Sequence, residues 1–514
     1  MLKIRGLIPR EYQEIIANNA KNKFTLVVLP TGLGKTAISI LVAIDRLNKI
    51  RGSQILLLAP TKPLANQHYN TFKKHIEGLD EDDFTLVTGE INPKNRYLIW
   101  NSATIIFSTP QCVANDLRNG KMNLENFSLL IEDEAHRCIK NYDYNYVAKI
   151  YKEQSKNPLI LGLTASPGSD IIRINQICSN LGIQEVEVRT RESEDVKQYV
   201  KELKTEQIKV ELPEKFKDIR IHLHKVLEKR IEELRNRGLL YTKVINKRTF
   251  IELQQKLMRA SFSGNKHFHV LKGVSLVSEV LKVQHAIELL ETQTIHSLKS
   301  YIKGLEADER AGKTKAVKNL FKNVDFQLAL AKIKNLSDDE EHPKLKKLLE
   351  IVKKELRKST QKILIFAQYR YTVDKINEEL RKLKIKSKIF IGQRGDKGMK
   401  QKEQQEIIKE FSEGKINCLV ATSIGEEGLD IPEVNIVIFY ESIPSVIRKI
   451  QRAGRTARLK PGKLILLITV KTRDESYYYA ARHKEKKMHG ILQGLKEEFA
   501  KKNKKQKDLN DFEI

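Results

Sequence analysis

Two glycines, Gly32 and Gly34, stand just before Lys35 and Thr36 in the stretch Leu29-Pro30-Thr31-Gly32-Leu33-Gly34-Lys35-Thr36. Further on, Leu129-Leu-Ile-Glu-Asp-Glu-Ala-His136 delivers an acidic pair, Asp133 and Glu134. The glycines let the loop backbone bend so that its N–H groups converge on an anion, and the lysine adds a point charge. A threonine hydroxyl and a carboxylate are hard oxygen donors of the kind that hold Mg²⁺, the carboxylate through water. A second carboxylate beside the metal is placed as general base for an attacking water. Taken together, these groups bind a phosphate chain and transfer its terminal phosphoryl group to water. Taken singly, an ordinary glycine turn and a pair of helix-capping acids are the alternatives.

Such groups need rigid support. The apolar run Thr25–Leu29 reads as a buried strand entering the loop, and Ala37 to Leu47 carries apolar residues at helical spacing behind it. Strand, loop and helix N-terminus make a phosphate cradle. Leu29 stands where the general P-loop pattern has its first glycine. The theme repeats at Gln54–Ala59, Thr104–Phe107, Leu129–Glu132 and Leu159–Leu163, each ending at a polar or glycine-rich loop. Buried Ile/Leu/Val runs separated by helical patterns predict a parallel sheet covered on both faces, with ligands at the C-terminal strand edge.

Residues 196–340 change character. Ile219–Leu240, Thr249–Ser261 and Val274–Leu305 read as long, Lys-rich helices, with a break at Phe262–Lys266. From 341 the first theme returns at Ile363–Ala367, Lys388–Ile391, Cys418–Ala421, Asn435–Tyr440 and Leu464–Val470, without a second glycine-lysine loop. Residues 472–498 read as a charged helix and 499–514 as a basic tail. The expected architecture is α/β: two parallel-sheet domains, 1–195 and 341–498, with an all-helical domain at 196–340 between them.

The whole chain of 514 residues carries 93 Lys+Arg against 65 Asp+Glu, net +28, which favours a polyanionic partner such as nucleic acid. Four dispersed cysteines form no zinc-finger spacing and no disulfide framework. No run approaches the roughly 18 apolar residues of a membrane span, and the N-terminus has no signal-peptide core. The protein is expected to be intracellular, cytoplasmic and nucleoid-associated, with no membrane contact.

Gln451-Arg-Ala-Gly-Arg-Thr-Ala-Arg458 puts three arginines at spacing three on one helix face. Arginine's permanent charge and planar fork suit a γ-phosphate, so Arg455 and Arg458, with Gln451 on the same segment, are candidate catalytic groups reaching across a cleft. A solvated basic face is the other reading. Ala421–Pro432 follows a strand: Gly428 allows close backbone approach and Asp430 can accept from a ribose hydroxyl. Ala59-Pro-Thr-Lys62 and Ser108-Thr-Pro-Gln111 offer hydroxyls and N–H groups for sugar-phosphate contacts. Thr164-Ala-Ser166 is placed to link the metal site and His136 to nucleic acid or to the second domain.

This set resembles a superfamily-two helicase. Arg10-Glu-Tyr-Gln13 looks like the adenine-reading Q motif, with Arg10 and Gln13 as its contacts; the glycine-lysine loop is motif I, Asp-Glu-Ala-His motif II, Thr164–Ser166 motif III, Ala421–Pro432 motif V and Gln451–Arg458 motif VI. The phosphate site is then an ATP site, with Pro30, Thr31, Gly32, Leu33, Gly34, Lys35 and Thr36 around the nucleotide and Thr36 and Asp133 on Mg²⁺. Ala457 stands where the pattern often has glycine. Phe390-Ile-Gly-Gln393, Gly425–Pro432 and Thr472-Arg-Asp-Glu-Ser-Tyr-Tyr478 narrow the resemblance to the archaeal Hef helicase and its eukaryotic relative FANCM. That resemblance implies two RecA-like motor domains with a helical insert gripping branched DNA, ATP-driven remodelling of stalled forks and junctions, and 3′→5′ movement. The Glu-Arg-Lys signature of Hef's nuclease is absent, so no nuclease activity is expected.

Two rivals stay open. RIG-I-like receptors and Dicer share the motor and insert, implying a double-stranded RNA translocase; a nucleic-acid-binding scaffold with a dead motor is the other. In the tail, Gln506, Leu509 and Phe512 resemble a sliding-clamp-binding peptide; a plain disordered tail is its alternative.

Overall fold

The computed structural model describes residues 1–242, 245–262, 268–337, 340–357, 361–392, 398–422, 431–443 and 462–510, with backbone alone at 93, 94, 500 and 502–510. In chain order the first domain holds β1 (Lys3–Ile4), β2 (Thr25–Val28), β3 (Gln54–Leu58), β4 (Ile76–Glu77), β5 (Phe84–Val87), β6 (Ile105–Ser108), β7 (Phe127–Asp133), β8 (Ile160–Thr164) and β9 (Glu185–Val188). β1 and β4 form a small antiparallel pair, and the other seven make one parallel sheet in the order β5-β6-β3-β7-β8-β2-β9.

Successive side chains of a strand point to opposite faces, and both faces here are apolar. Leu26, Val28, Leu56, Leu58 and Leu130 pack on one side; Val27, Ile55, Leu57, Leu129 and Ile131 pack on the other. That double burial is why these strands read as continuous apolar runs rather than alternating ones. The order matters for chemistry: β2 and β7 flank β8, so the glycine-lysine loop, Asp133 and Thr164–Ser166 emerge side by side at one sheet edge.

The second sheet holds β10 (Leu203–Val210), β11 (Ile363–Phe366), β12 (Ser387–Phe390), β13 (Cys418–Ala421), β14 (Ile436–Phe439) and β15 (Gly462–Thr469), in the order β10-β15-β14-β11-β13-β12. β10 corrects the expected boundary at 196. It pairs in parallel with β15 from Leu203↔Gly462 to Val210↔Thr469 and belongs to the second motor sheet, so the helical domain begins after it. The strand has no apolar run because it is an edge strand, with Lys204, Thr205, Gln207 and Lys209 exposed.

The helices Glu214–Asn236, Lys247–Phe262, Phe268–Thr292, Ile295–Arg310, Lys315–Phe321 and Val324–Lys334 share a core that includes Phe216, Leu223, Val280, Ile287, Leu298 and Phe326. The expected single helix Val274–Leu305 is two. Thr294 caps the second, its side chain accepting from the Ser297 N–H, and the chain turns at Gln293-Thr294.

That turn docks the insert on the second motor. Gln293 Oε1 accepts from Thr372 Oγ1 at 2.7 Å, and Tyr369 Oη donates to Glu288 Oε1 at 3.0 Å. Lys344 and Asp474 form an ion pair at 2.5 Å with both side chains 0% exposed. Lys344 Nζ also donates to the Thr292 and Tyr440 carbonyls, while Asp474 accepts from the Ser442 and Thr469 N–H groups. The final helix, Arg473–Asn510, starts at this junction and returns to the first domain, where Met488, Leu492 and Leu495 join its core. None of the described helices is long and apolar enough to cross a membrane. The four cysteines are buried and unbridged.

Candidate nucleotide site

Leu29 explains the missing first glycine. It is a fully buried core residue whose N–H donates to the Thr164 carbonyl at 3.0 Å, so it extends β2 rather than turning the loop. The turn comes later, at Gly32 (φ +87°) and Gly34 (φ +81°), both in the left-handed region that favours glycine. At Gly34 a Cβ would lie 2.3 Å from Gln13 Nε2. Lys35 opens the helix Lys35–Lys49, with Thr36 second in it, and Lys35 Nζ donates to the Leu29 carbonyl at 3.1 Å across the loop.

Arg10 and Gln13 reach the same loop. Gln13 accepts from the Arg10 N–H at 3.0 Å and donates from Nε2 to the Leu33 carbonyl at 3.0 Å. Tyr12 Oη donates to that carbonyl at 2.7 Å. The Arg10 guanidinium lies 5.3 Å from the centroid of the Tyr199 ring, which also packs against Tyr12. Tyr199 was not singled out from the sequence because it sits between β9 and β10, in no motif.

Three consecutive acids on β7 and just after it have different environments. Glu132 faces the core; burial pushes its carboxyl up to about 8, with the Cys138 thiol donating to Oε2 at 2.8 Å. Asp133 points to the opposite face. Burial pushes it upward too, but the His68 hydrogen bond and charge, the Lys35 charge and the Glu134 N–H outweigh that and hold it below the ordinary aspartate value. Those contacts favour the ionised form of Asp133 at the sheet edge. The Tyr144 hydroxyl fixes its backbone carbonyl at 2.7 Å.

Glu134 has φ +55°, a conformation costing a non-glycine residue about 1–2 kcal/mol. That turn brings Glu134 Oε2 to 3.2 Å from His136 Nδ1. The same nitrogen is 3.3 Å from Thr164 Oγ1, which accepts from the Ser166 N–H. Ser166 Oγ contacts Met488 Sδ at 3.0 Å, on the helix that comes from the second motor. Thr164–Ser166 thus stands between the acidic pair and the other half of the molecule.

Gln451, Arg455, Arg458, Gly428 and Asp430 lie outside the described residues, as does Phe512; Gln506 and Leu509 fall in the helix Arg473–Asn510, where backbone alone is described. His68 is the contact that no motif announced: a lone histidine mid-helix carries no signal of its own.

Three family models match the chain: "DEAD/DEAH box helicase" over residues 10–174, "Helicase conserved C-terminal domain" over 343–460, and a helical bundle of ATP-dependent RNA helicases over 215–340. The fold and its sheet-edge site therefore define a nucleotide-binding helicase with two motor domains and a helical bundle between them. The crystal structure of the Pyrococcus furiosus Hef helicase domain matches with 44% identity and a TM-score of 0.71, covering 92% of this chain and 98% of that one. The chain belongs to the Hef/FANCM-like family of superfamily-two helicases. A candidate ATP-dependent RNA helicase of Methanocaldococcus jannaschii is 43% identical over 96% of this chain and 62% of its own length. The ATP-dependent DNA helicase mph1 of Sclerotinia sclerotiorum is 33% identical over 91% of this chain and 40% of its own. The chain thus spans less than two thirds of the length of these curated relatives.

Proposed function

We propose that the chain is an ATP-dependent DNA helicase or translocase that remodels branched DNA, such as stalled forks and junctions, with 3′→5′ movement. The observation that carries this reading is the convergence of the glycine-lysine loop, Asp133 with its lowered pKa and Glu134 in its left-handed turn at the edges of β2, β8 and β7. Bound ATP·Mg²⁺ supplies the phosphoryl group and its electrophilic activation. The residues present fit it: Thr36 and Asp133 are hard oxygen donors that would hold Mg²⁺, and Lys35 and the loop N–H groups would meet the phosphates. Arg10 and Gln13 buttress the loop and border the base. Glu134 accepts the proton of the attacking water. Arg455 and Arg458, with Gln451, come from the second motor onto the γ-phosphate on closure, and Gly428 and Asp430 approach the ribose.

DNA crosses both motors through phosphate contacts, which carry little sequence information, and the basic insert holds the arms of a fork. Exposed Lys256 and Arg259 on the helix Lys247–Phe262 are suited to that grip. Mph1-type relatives are named as DNA helicases, which supports DNA over RNA; the Methanocaldococcus relative, described as acting on RNA, keeps the RNA reading as the alternative. An intracellular, nucleoid-associated location follows from that substrate.

ATP turnover compared on single-stranded, duplex, forked and four-way DNA and on double-stranded RNA tests the proposal. Forks or junctions stimulate at least several-fold more than duplex DNA, and the affinity falls steeply between about 50 and 200 mM salt. Strongest stimulation by double-stranded RNA would transfer the chain to the RNA reading. In the tail, a 495–514 peptide carrying Gln506, Leu509 and Phe512 binds the cognate sliding clamp in calorimetry; absence of heat ends that assignment.

A further inference from the structure

We propose that His68 is a positioning residue for the metal-bearing carboxylate, tying Asp133 to the helix Lys62–His75; the proposal rests on the nucleotide-site reading above. His68 lies inside that helix and is 6% exposed. Its Nε2 is 2.8 Å from Asp133 Oδ2, and both side chains are buried. Among the described residues its other nitrogen, Nδ1, is buried without a hydrogen-bond partner. A histidine kept only for packing would leave neither buried nitrogen unsatisfied without cost. This ring keeps one orphan nitrogen and directs the other at the acid that the site needs ionised.

The contact restrains the acid. With Oδ2 engaged by His68, rotation of the carboxylate is restricted and its second oxygen is left available. Partners of this kind, one shell out from a metal, typically change metal affinity 10–100-fold when removed.

The test is equilibrium binding of a fluorescent ADP to the full chain, in Mg²⁺ and in excess EDTA. Wild type binds more tightly in Mg²⁺. His68→Ala loses about tenfold of that Mg²⁺-dependent tightening and keeps its affinity in EDTA. His68→Gln, whose amide can donate to the same oxygen, recovers most of the loss. An unchanged Mg²⁺ dependence in His68→Ala overturns the proposal, as does an equal loss in Mg²⁺ and EDTA or failure of His68→Gln to recover. Absence of any Mg²⁺ effect in wild type overturns the nucleotide-site reading itself.

Discussion

Glu134→Gln stops ATP turnover while nucleotide still binds. The substitution keeps the side chain's size and the left-handed backbone turn, and an amide can still meet His136. It removes the only property the proposed role needs, a basic oxygen that takes a proton from water. General-base contributions of this kind are about 10²–10⁴-fold, so DNA-stimulated turnover falls by at least about two orders of magnitude. Nucleotide affinity, set by the loop and Lys35, stays within about twofold, since a 1.4 kcal/mol change would already be tenfold. Neither neighbouring acid can substitute: Glu132 is held protonated in the core, and Asp133 is engaged by His68. Turnover within a few-fold of wild type, measured in steady state with forked DNA, would remove Glu134 from the reaction.

Lys344→Ala produces the largest loss of stability. Lys344 and Asp474 are both sealed from solvent, and together they bind Thr292 of the insert, Tyr440 and Ser442 of the second motor, and Thr469 at the end of β15. Removing the cation leaves a buried carboxylate with two N–H donors and no countercharge, and leaves two carbonyls without their ammonium partner. Breaking one side of such a pair costs about 3–5 kcal/mol. Because the chain has several domains, the loss is read as a shift of the first calorimetric transition, roughly 10 °C for a unit of this size. Faster hydrogen exchange at 288–298 and 436–443 accompanies it. Replacing both partners, Lys344→Met with Asp474→Leu, recovers much of the loss, because no unpaired charge remains. A transition within about a degree of wild type in the single variant would mean that the pair does not hold the insert to the motor.

What was legible in the sequence follows from what burial does to residue choice. β2, β3, β7 and β8 are covered on both faces, so they had to be apolar runs, and the loops that end them could be read as chemistry. The motif residues of the first motor converge because those strands are neighbours, an arrangement that order along the chain suggests but does not dictate. β10 was not legible: an edge strand needs only alternate half-buried residues, and Leu203–Val210 looks like polar linker until β15 is beside it. The break at Gln293-Thr294 was hidden by apolar residues on both sides, since a single capping threonine is enough to end a helix. His68 was illegible because its meaning lies in a contact with Asp133, distant in the chain. The return of Met488, Leu492 and Leu495 to the first domain was equally a matter of where a long helix points, which its composition does not encode.

The most direct test of an ATP-driven remodeller of branched DNA is to watch the DNA. A synthetic stalled fork, labelled for energy transfer across its two arms, is mixed with the full chain and ATP. Wild type separates or re-pairs the arms upon ATP addition; a non-hydrolysable analogue and Glu134→Gln leave them as they were. Steady ATP turnover on the fork with no change in the arms would contradict the proposal, as would rearrangement that proceeds equally well without hydrolysis.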